Sequence, residues 1–498
     1  MTTASQTPGE QAELDALIAL ARREHRAGRL AEAAEACRQI LAIRPEMAET
    51  HNDLGIIFAQ QGRLDQALAC FEQAIALRPL YADAHVNLGN VLLNQGQLDQ
   101  AAARYRQALA LAPNHAQAHY NLANTLKRQG KLDQAVSRFE QAIALRPNYA
   151  AALKNLGIAL RDQLKLTEAQ QVFQRLLTLE PDSPEAQVAL SSCYLLAGDY
   201  ERGWPAYEGR LRMPELAAQP NLPRWSGEPL AGRSLLLVVE QGLGDTIQFV
   251  RYARLLKERG ARVVLAVGAT LGPLLARDTD LDELYIIGSG AVLPRCDYYL
   301  PLLSVPGALG TTASTIPGEV PYLSADPALT AQWRQELAGI EAFKIGIAWQ
   351  GSRDYPSDHK RSIPLAHFAP LAGLTGVRLI SLQKGFGSEQ IAAVDFPVLD
   401  LSGRLDEEAG ALMDTAAVIR NLDLVVTSDT SIPHLAGALG AAVWVALPFS
   451  PDWRWLRSGD ASPWYPTMRL FRQTTIGQWP DVFERIAKAV EARRAEKA

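Results

Sequence analysis

Two patterns of apolar and polar residues divide the chain near Met213. Beyond that point short apolar runs alternate with longer helical stretches. Leu235–Glu240 (LLLVVE) reads as a buried strand, Ile247–Arg259 as a helix closed by Gly260, and Arg262–Val267 as a second strand, with further strands at Leu284–Ile287 and Tyr298–Leu302. A second series opens with Phe343–Trp349 (FKIGIAW) and continues through Val377–Leu382, Leu422–Thr427 and Ala442–Leu447. Strands alternating with helices predict parallel sheets, and two consecutive series predict two lobes. Before Met213 the pattern is periodic instead. Pro45, Pro79, Pro113, Pro147 and Pro181 recur every 34 residues, as do Gly28, Gly62, Gly96 and Gly130, and Ala67, Ala101, Ala135 and Ala169. Each period predicts two helices. The alanines let them cross closely, the glycine turns the chain, and the proline ends the second helix.

A 34-residue period with these markers is the tetratricopeptide signature. With Pro45 as position 32, the repeats run 14–47, 48–81, 82–115, 116–149 and 150–183. A sixth, from 184, keeps a glycine at Gly198 but lacks the closing proline, as suits a terminal repeat. The stretch MPELAAQPNLPRWSGEPLAGR then reads as a boundary segment. All nine tryptophans lie at Trp204 or beyond, so the packing chemistry changes with the domain. The expected organisation is a solenoid over 14–211, a linker over 212–232, and two α/β lobes over 233–331 and 332–498.

Positions 6, 9 and 13 of a repeat share one face of its first helix. They are Asn87, Asn90 and Asn94 in the third repeat and Asn121, Asn124 and Arg128 in the fourth, and position 6 reads Asp53, Asn87, Asn121, Asn155 along the stack. An amide both donates and accepts, so such a column can hold a peptide backbone with little demand on its sequence. The alternative is a solvated groove surface, but asparagine is a poor helix former and the other exposed faces use Glu, Lys, Gln and Arg. The column resembles the asparagine ladder of the O-linked N-acetylglucosamine transferases, which implies a polypeptide acceptor bound by Asp53, Asn87, Asn90, Asn121, Asn124 and Asn155. His51, His85 and His119, at position 4, read as packing residues, since their spacing is too long for shared metal ligation.

A net charge of -5 and a pI near 6.0 provide no global field for nucleic acid or anionic lipid. Four cysteines without metal-ligand spacing, an acidic rather than basic N-terminal stretch and no long apolar run predict a cytoplasmic protein with reduced thiols and no membrane insertion.

Three segments carry candidate chemistry. Gln241-Gly242-Leu243-Gly244-Asp245-Thr246 joins the first strand to the first helix, and its glycines allow a tight turn and close ligand approach. It is neither a P-loop nor a dinucleotide fingerprint, because no Gly-Lys-Ser/Thr follows and Ile247 takes the third glycine position. Asp245 is also readable as a simple helix cap. Ser428-Asp429-Thr430-Ser431-Ile432-Pro433-His434 joins a buried strand to a helix, where hydroxyls, free N–H groups and the helix dipole converge on a candidate phosphate. A cap and a core histidine are the alternative for Asp429 and His434. Gln350-Gly351-Ser352-Arg353, with Asp358-His359-Lys360-Arg361 beyond it, sets small residues beside cations suited to a diphosphate, or is a solvated basic loop.

Together EQGLGDTIQFVRYARLL, IAWQGSRDYPSDHKRSIP and VTSDTSIPHLAGALG resemble the ADP-heptose lipopolysaccharide heptosyltransferase superfamily, and the whole chain is similar to bacterial tetratricopeptide proteins carrying such a domain, flagellin-modifying glycosyltransferases among them. The resemblance implies a multidomain α plus α/β protein, a solenoid followed by a twin-lobed GT-B domain with Rossmann-like lobes. The first lobe would face the acceptor and the second the nucleotide sugar. It implies an inverting glycosyltransferase without a cofactor or an active-site metal, acting on Ser or Thr hydroxyls of a protein, flagellin being one candidate. Asp245 would be the general base. Gly244, Gln350, Gly351, Ser352, Lys360, Gln383, Asp429, Thr430, Ser431 and His434 would meet the donor. Where the family carries a donor-binding glutamate, this chain has Gln383 followed by Lys384. A catalytically silent adaptor and a saccharide-directed heptosyltransferase are the competing readings. Two further features are set aside: Asp278-Thr279-Asp280 as a loop, and Trp453, Trp455, Trp464 and Tyr465 as packing for the C-terminal segment.

Overall fold

The computed structural model describes residues 8–216, 219–277, 280–355 and 357–496. Asp278 and Thr279 lie outside the described residues.

Paired helices run from Pro8–Arg26 to Tyr200–Tyr207. Gly28, Gly62, Gly96 and Gly130 turn the chain with φ between 73° and 77°, a left-handed conformation that costs glycine little. At the second of these turns Arg63 N–H donates to the Phe58 carbonyl at 2.9 Å and Gly62 N–H to Ala59 at 3.1 Å, closing the end of the first helix. The following helix, Leu64–Leu77, stops just before Arg78 and Pro79, because a residue preceding proline is pushed out of the helical region. Packing between the paired helices follows a size rule. A Cβ added to Gly55, Gly89 or Gly157 would stand 2.6 Å from the ring of Phe71, Tyr105 or Phe173. In the fourth repeat an alanine stands in the glycine's place, and Ala123 and the ring in the matching register, Phe139, are both fully buried. The histidine column packs as expected: His51, His85 and His119 each bond through Nε2 to the carbonyl of the preceding Pro45, Pro79 or Pro113.

The chain divides into two compact units, and the division does not fall at the linker. One unit holds residues up to Leu160 and Gln171–Pro181; the other holds Arg161–Gln170 and everything from Asp182. The reason lies in burial. Leu195, Leu196, Tyr200, Trp204 and Tyr207 of the last repeat share one apolar core with Leu235, Leu237 and Leu265 of the strand region. Leu164, which occupies the repeat's glycine position, adopts φ 59° and packs against that same core.

The second unit carries two parallel sheets. In the first, β1 (Ser234–Val238), β2 (Arg262–Val267), β3 (Glu283–Ile286) and β4 (Tyr298–Pro301) lie in the order β3-β2-β1-β4. In the second, β5 (Phe343–Ala348), β6 (Val377–Ser381), β7 (Val398–Leu399), β8 (Leu424–Thr427), β9 (Val443–Leu447) and β10 (Met468–Arg472) lie in the order β10-β9-β8-β5-β6-β7. The register is parallel throughout, for example Leu236 opposite Val264 and Ile347 opposite Val426. Burial on both faces explains the unbroken apolar runs. The outer face of the second sheet is covered by Phe368, Phe483 and Ile486.

Two strands lie beyond the sequence reading: β7 is two residues long, and β10 (MRLFR) alternates as an edge strand does. The first α/β helix also differs. It begins at Leu243, four residues before the expected Ile247, and is divided into Leu243–Phe249 and Tyr252–Glu258. The glycine turn is thus its first turn, with Gly242 at the N-cap. Among the described residues no helix is long and apolar enough to cross a membrane.

Candidate functional site

In each sheet the strand order reverses at one place, between β1 and β4 in the first and between β5 and β8 in the second. Connections leave such a point in opposite directions and open a crevice at the carboxyl ends of the strands. The second unit holds a cavity of about 1230 Å³ lined by Gln241–Asp245 after β1, Gln350–Ser352 after β5, Gln383 after β6, Asp429–Ser431 after β8 and Asp452–Arg454 after β9. Lys360, Arg361 and His434 line it as well. All α/β residues singled out from the sequence as catalytic or donor-binding therefore meet around one space.

The turn after β1 and the turn after β8 touch. A Cβ on Gly244 would stand 2.9 Å from Cδ2 of His434 and 3.4 Å from Cα of Ser431. Only a glycine lets the helices Leu243–Phe249 and Ser431–Ala438 begin side by side. The cap of the second helix is Thr430, whose hydroxyl accepts from Ile432 N–H, so Asp429 is not the cap. His434 is buried, stacked on the Trp455 ring at 5.2 Å and bonded through Nδ1 to the Tyr465 hydroxyl at 3.0 Å. Burial, with the nearby Arg454, Arg251 and Arg361, holds its pKa well below the usual histidine range, so the ring is neutral at pH 7.

Asp245 has both carboxylate oxygens engaged. Oδ2 accepts from Gly242 N–H at 3.1 Å, the capping role, while Oδ1 accepts from the guanidinium of Arg454. Arg454 is buried and also donates to Gln248 Oε1 at 2.9 Å and to Asp452 Oδ1 at 2.8 Å. Removal from water raises the Asp245 pKa; Arg454 opposes that shift and Asp452 adds to it. The sequence reading missed Arg454. Its signal was a charged pair, Asp452 and Arg454, inside an otherwise aromatic run. That run packs inward, with Trp453, Trp455, Trp464 and Tyr465 all buried.

Asp429 is pushed up to about 7, by burial first and by Asp452 second. An aspartate in the unfolded chain titrates near ~3.9, so the folded protein holds this proton more tightly. The resulting stability is full below the unfolded value and is lost as pH rises through the folded one. Asp429→Asn is therefore expected to stabilise the protein increasingly between pH 4 and pH 7 and to level off above, by at most ~1.4 kcal/mol per pH unit. Urea unfolding of both proteins across that range measures it, and a gain that shrinks with pH contradicts the assignment.

The third segment is braced rather than loose. Buried Asp358 accepts from Gln350 Nε2 at 3.0 Å, from the Ser362 hydroxyl at 2.5 Å and from Arg361 Nε at 3.1 Å. Gln383 ties β6 to β5. Its Oε1 accepts from Trp349 and Gln350 N–H at 3.2 and 3.0 Å, and its Nε2 donates to the carbonyls of Gln350 and Phe386 at 3.2 and 2.8 Å. An amide has two donors and two acceptor sites, so none is left for a ligand. Lys384 is likewise held, by the carbonyls of Leu405 and Asp406. Lys360 donates to Asp162 Oδ2 at 2.6 Å.

In the first unit the amides of the column bond from one repeat to the next. Asn87 donates to Asn52 Oδ1 at 2.9 Å, Asn121 to Asn90 Oδ1 at 2.7 Å, and Asn155 to the Tyr120 hydroxyl at 3.1 Å. Asn124 is half-buried and Asp53 exposed. The column thus links successive repeats, and part of its hydrogen-bonding capacity is used within the stack.

Comparison with known proteins bears on the repeats. Models described as tetratricopeptide repeat match residues 80–148, 120–177 and 155–212, and one described as TPR repeat matches 56–96. The N-terminal region is a tetratricopeptide solenoid. Over 331 residues the chain is 29% identical to Protein FlbA of Caulobacter vibrioides, which covers 61% of this chain and 54% of the relative. The chain thus spans about half the length of the curated relative it matches. Among solved structures, pilF of Pseudomonas aeruginosa is 21% identical, covers 41% of this chain and 94% of its own, and has a TM-score of 0.38. YrrB, described as a TPR protein with an unusual peptide-binding site, is 21% identical over 36% of this chain and 92% of its own, with a TM-score of 0.33. MamA of Desulfovibrio magneticus RS-1 is 23% identical over 34% and 95%, with a TM-score of 0.32.

Proposed function

We propose that the cavity transfers a sugar from a nucleotide sugar to a Ser or Thr hydroxyl of a polypeptide bound by the repeats. The reading is carried by the convergence of Asp245, Lys360 and the Asp429–His434 turn on one space at the carboxyl ends of both sheets. The reading takes the two sheets as the lobes of a GT-B arrangement, one for the acceptor and one for the donor. Asp245 takes the proton of the acceptor hydroxyl as its oxygen attacks the anomeric carbon. The bond from that carbon to the donor phosphate oxygen breaks, its electron pair leaves with the nucleotide, and the configuration inverts. The raised pKa of Asp245 suits a base. Lys360 and the N–H groups that open the helix at Ser431 meet the charge on the departing phosphate. The reading gives no role to a metal. Flagellin is the acceptor to try first, on the strength of the sequence resemblance.

Thermal unfolding with CMP, UDP, GDP and ADP in turn tests the donor site. A ligand at about 100 times its dissociation constant stabilises by about 2.7 kcal/mol, enough for a visible shift. One nucleotide is expected to raise the transition, with the rise lost in Lys360→Ala. No shift with any of the four removes the donor site and leaves a repeat protein whose α/β unit serves another purpose.

A further inference from the structure

Lys360 is half-exposed on the cavity wall, yet its ammonium is already occupied. The partner, Asp162, is not in the strand region's own sequence: it is the last residue of the helix Ala150–Asp162 in the fifth repeat. The two are 198 positions apart and 2.6 Å from each other. Asp162 is mostly buried, with 13% of its side chain exposed, and it also pairs with Arg161 at 3.3 Å. Arg161 is fixed in turn: its guanidinium donates to the Ser192 hydroxyl at 3.3 Å, and its carbonyl accepts from Ser450 at 3.2 Å. Asp162, Arg161, Ser192 and Ser450 all line the same cavity as Lys360. Asp162 is also at position 13 of its repeat, on the face that carries Asn94 and Arg128 in the third and fourth repeats.

A carboxylate and a phosphate oxygen compete for the same ammonium, since each is a compact anion accepting charge-assisted hydrogen bonds. We propose that Asp162 is a tethered competitor of the incoming phosphate: it neutralises Lys360 in the free protein and is displaced when a phosphate binds. Anion affinity in the cavity is then set by a residue of the repeats, and filling the donor site frees a carboxylate on the repeat face that would meet the acceptor. The inference rests on the donor-site reading given above and adds to it a residue that reading does not use.

Calorimetric titration of the full-length chain with inorganic pyrophosphate at fixed ionic strength provides the test. Asp162→Asn is expected to tighten pyrophosphate binding about fivefold, the scale of a partly exposed ion pair. The gain is expected to vanish when Lys360→Ala is also present. Asp354→Asn removes the charge of another carboxylate lining the cavity and controls for the general field. Equal gains from Asp162→Asn and Asp354→Asn, or a gain that survives without Lys360, overturn the competition. If Lys360→Ala weakens pyrophosphate binding but Asp162→Asn leaves it unchanged, the competition alone is wrong. If no variant and not the parent binds pyrophosphate, the donor-site reading falls together with it.

Discussion

Asp245→Asn is expected to lower the rate of sugar transfer by a factor of about 10²–10⁴, the usual contribution of a positioned base, while leaving the fold and nucleotide binding nearly unchanged. The separation follows from how the carboxylate is held. An asparagine oxygen can still accept from Gly242 N–H, so the cap that starts the helix survives. Arg454 keeps Asp452 and Gln248 as partners, so no cation is stranded. What disappears is the ability to take a proton. A transfer assay on the acceptor protein, run beside thermal unfolding with the nucleotide that binds, reads the two effects separately. Transfer at the parental rate in Asp245→Asn would remove Asp245 from the chemistry.

Arg454→Met has the opposite signature and is expected to destabilise the second unit by roughly 3 kcal/mol. The guanidinium is buried over the Trp453 ring at 4.3 Å and is bound to Asp245, Asp452 and Gln248. Methionine fills much of the same volume but leaves two partly buried carboxylates, Asp245 and Asp452, without their counter-ion. Arg454 opposes the upward shift of Asp245, so without it that carboxyl protonates more readily, and the loss should be largest at alkaline pH and smaller in acid. Adding Asp245→Asn to Arg454→Met removes one stranded charge and should recover part of the stability. Urea unfolding of the single and double variants measures this, and strict additivity would mean that the pair is not coupled.

The three polar turns were legible because each follows a buried apolar strand, where runs such as LLLVV and LDLVV stand out against the rest of the chain. The solenoid was legible for a similar reason, since its prolines and glycines mark backbone needs that recur with every repeat. Residues that enter the cavity from elsewhere left no such local mark. Arg454 sits in a loop after β9, and Asp162 and Ser192 sit on repeat helices, so their proximity to Asp245 and Lys360 is a property of the fold. Gln383 shows a different limit. Its type suggests a ligand contact, but whether an amide is free depends on the backbone groups around it, and here four of them use it fully. The amide column is intermediate: its positions were readable from the period, its cross-bonding between repeats was not. β7 and β10 escaped notice because an edge strand needs no continuous apolar run.

The boundary at Leu160 has a consequence for how such a chain can change over generations. Unequal recombination within a tandem array adds or removes whole copies, here 34 residues at a time. Among the described residues, none that lines the cavity lies before Arg161. The copies between residues 48 and 149 can therefore be gained or lost without touching the cavity, which retains its own last repeat and a half. A lineage can lengthen or shorten the array while every residue around the cavity stays the same.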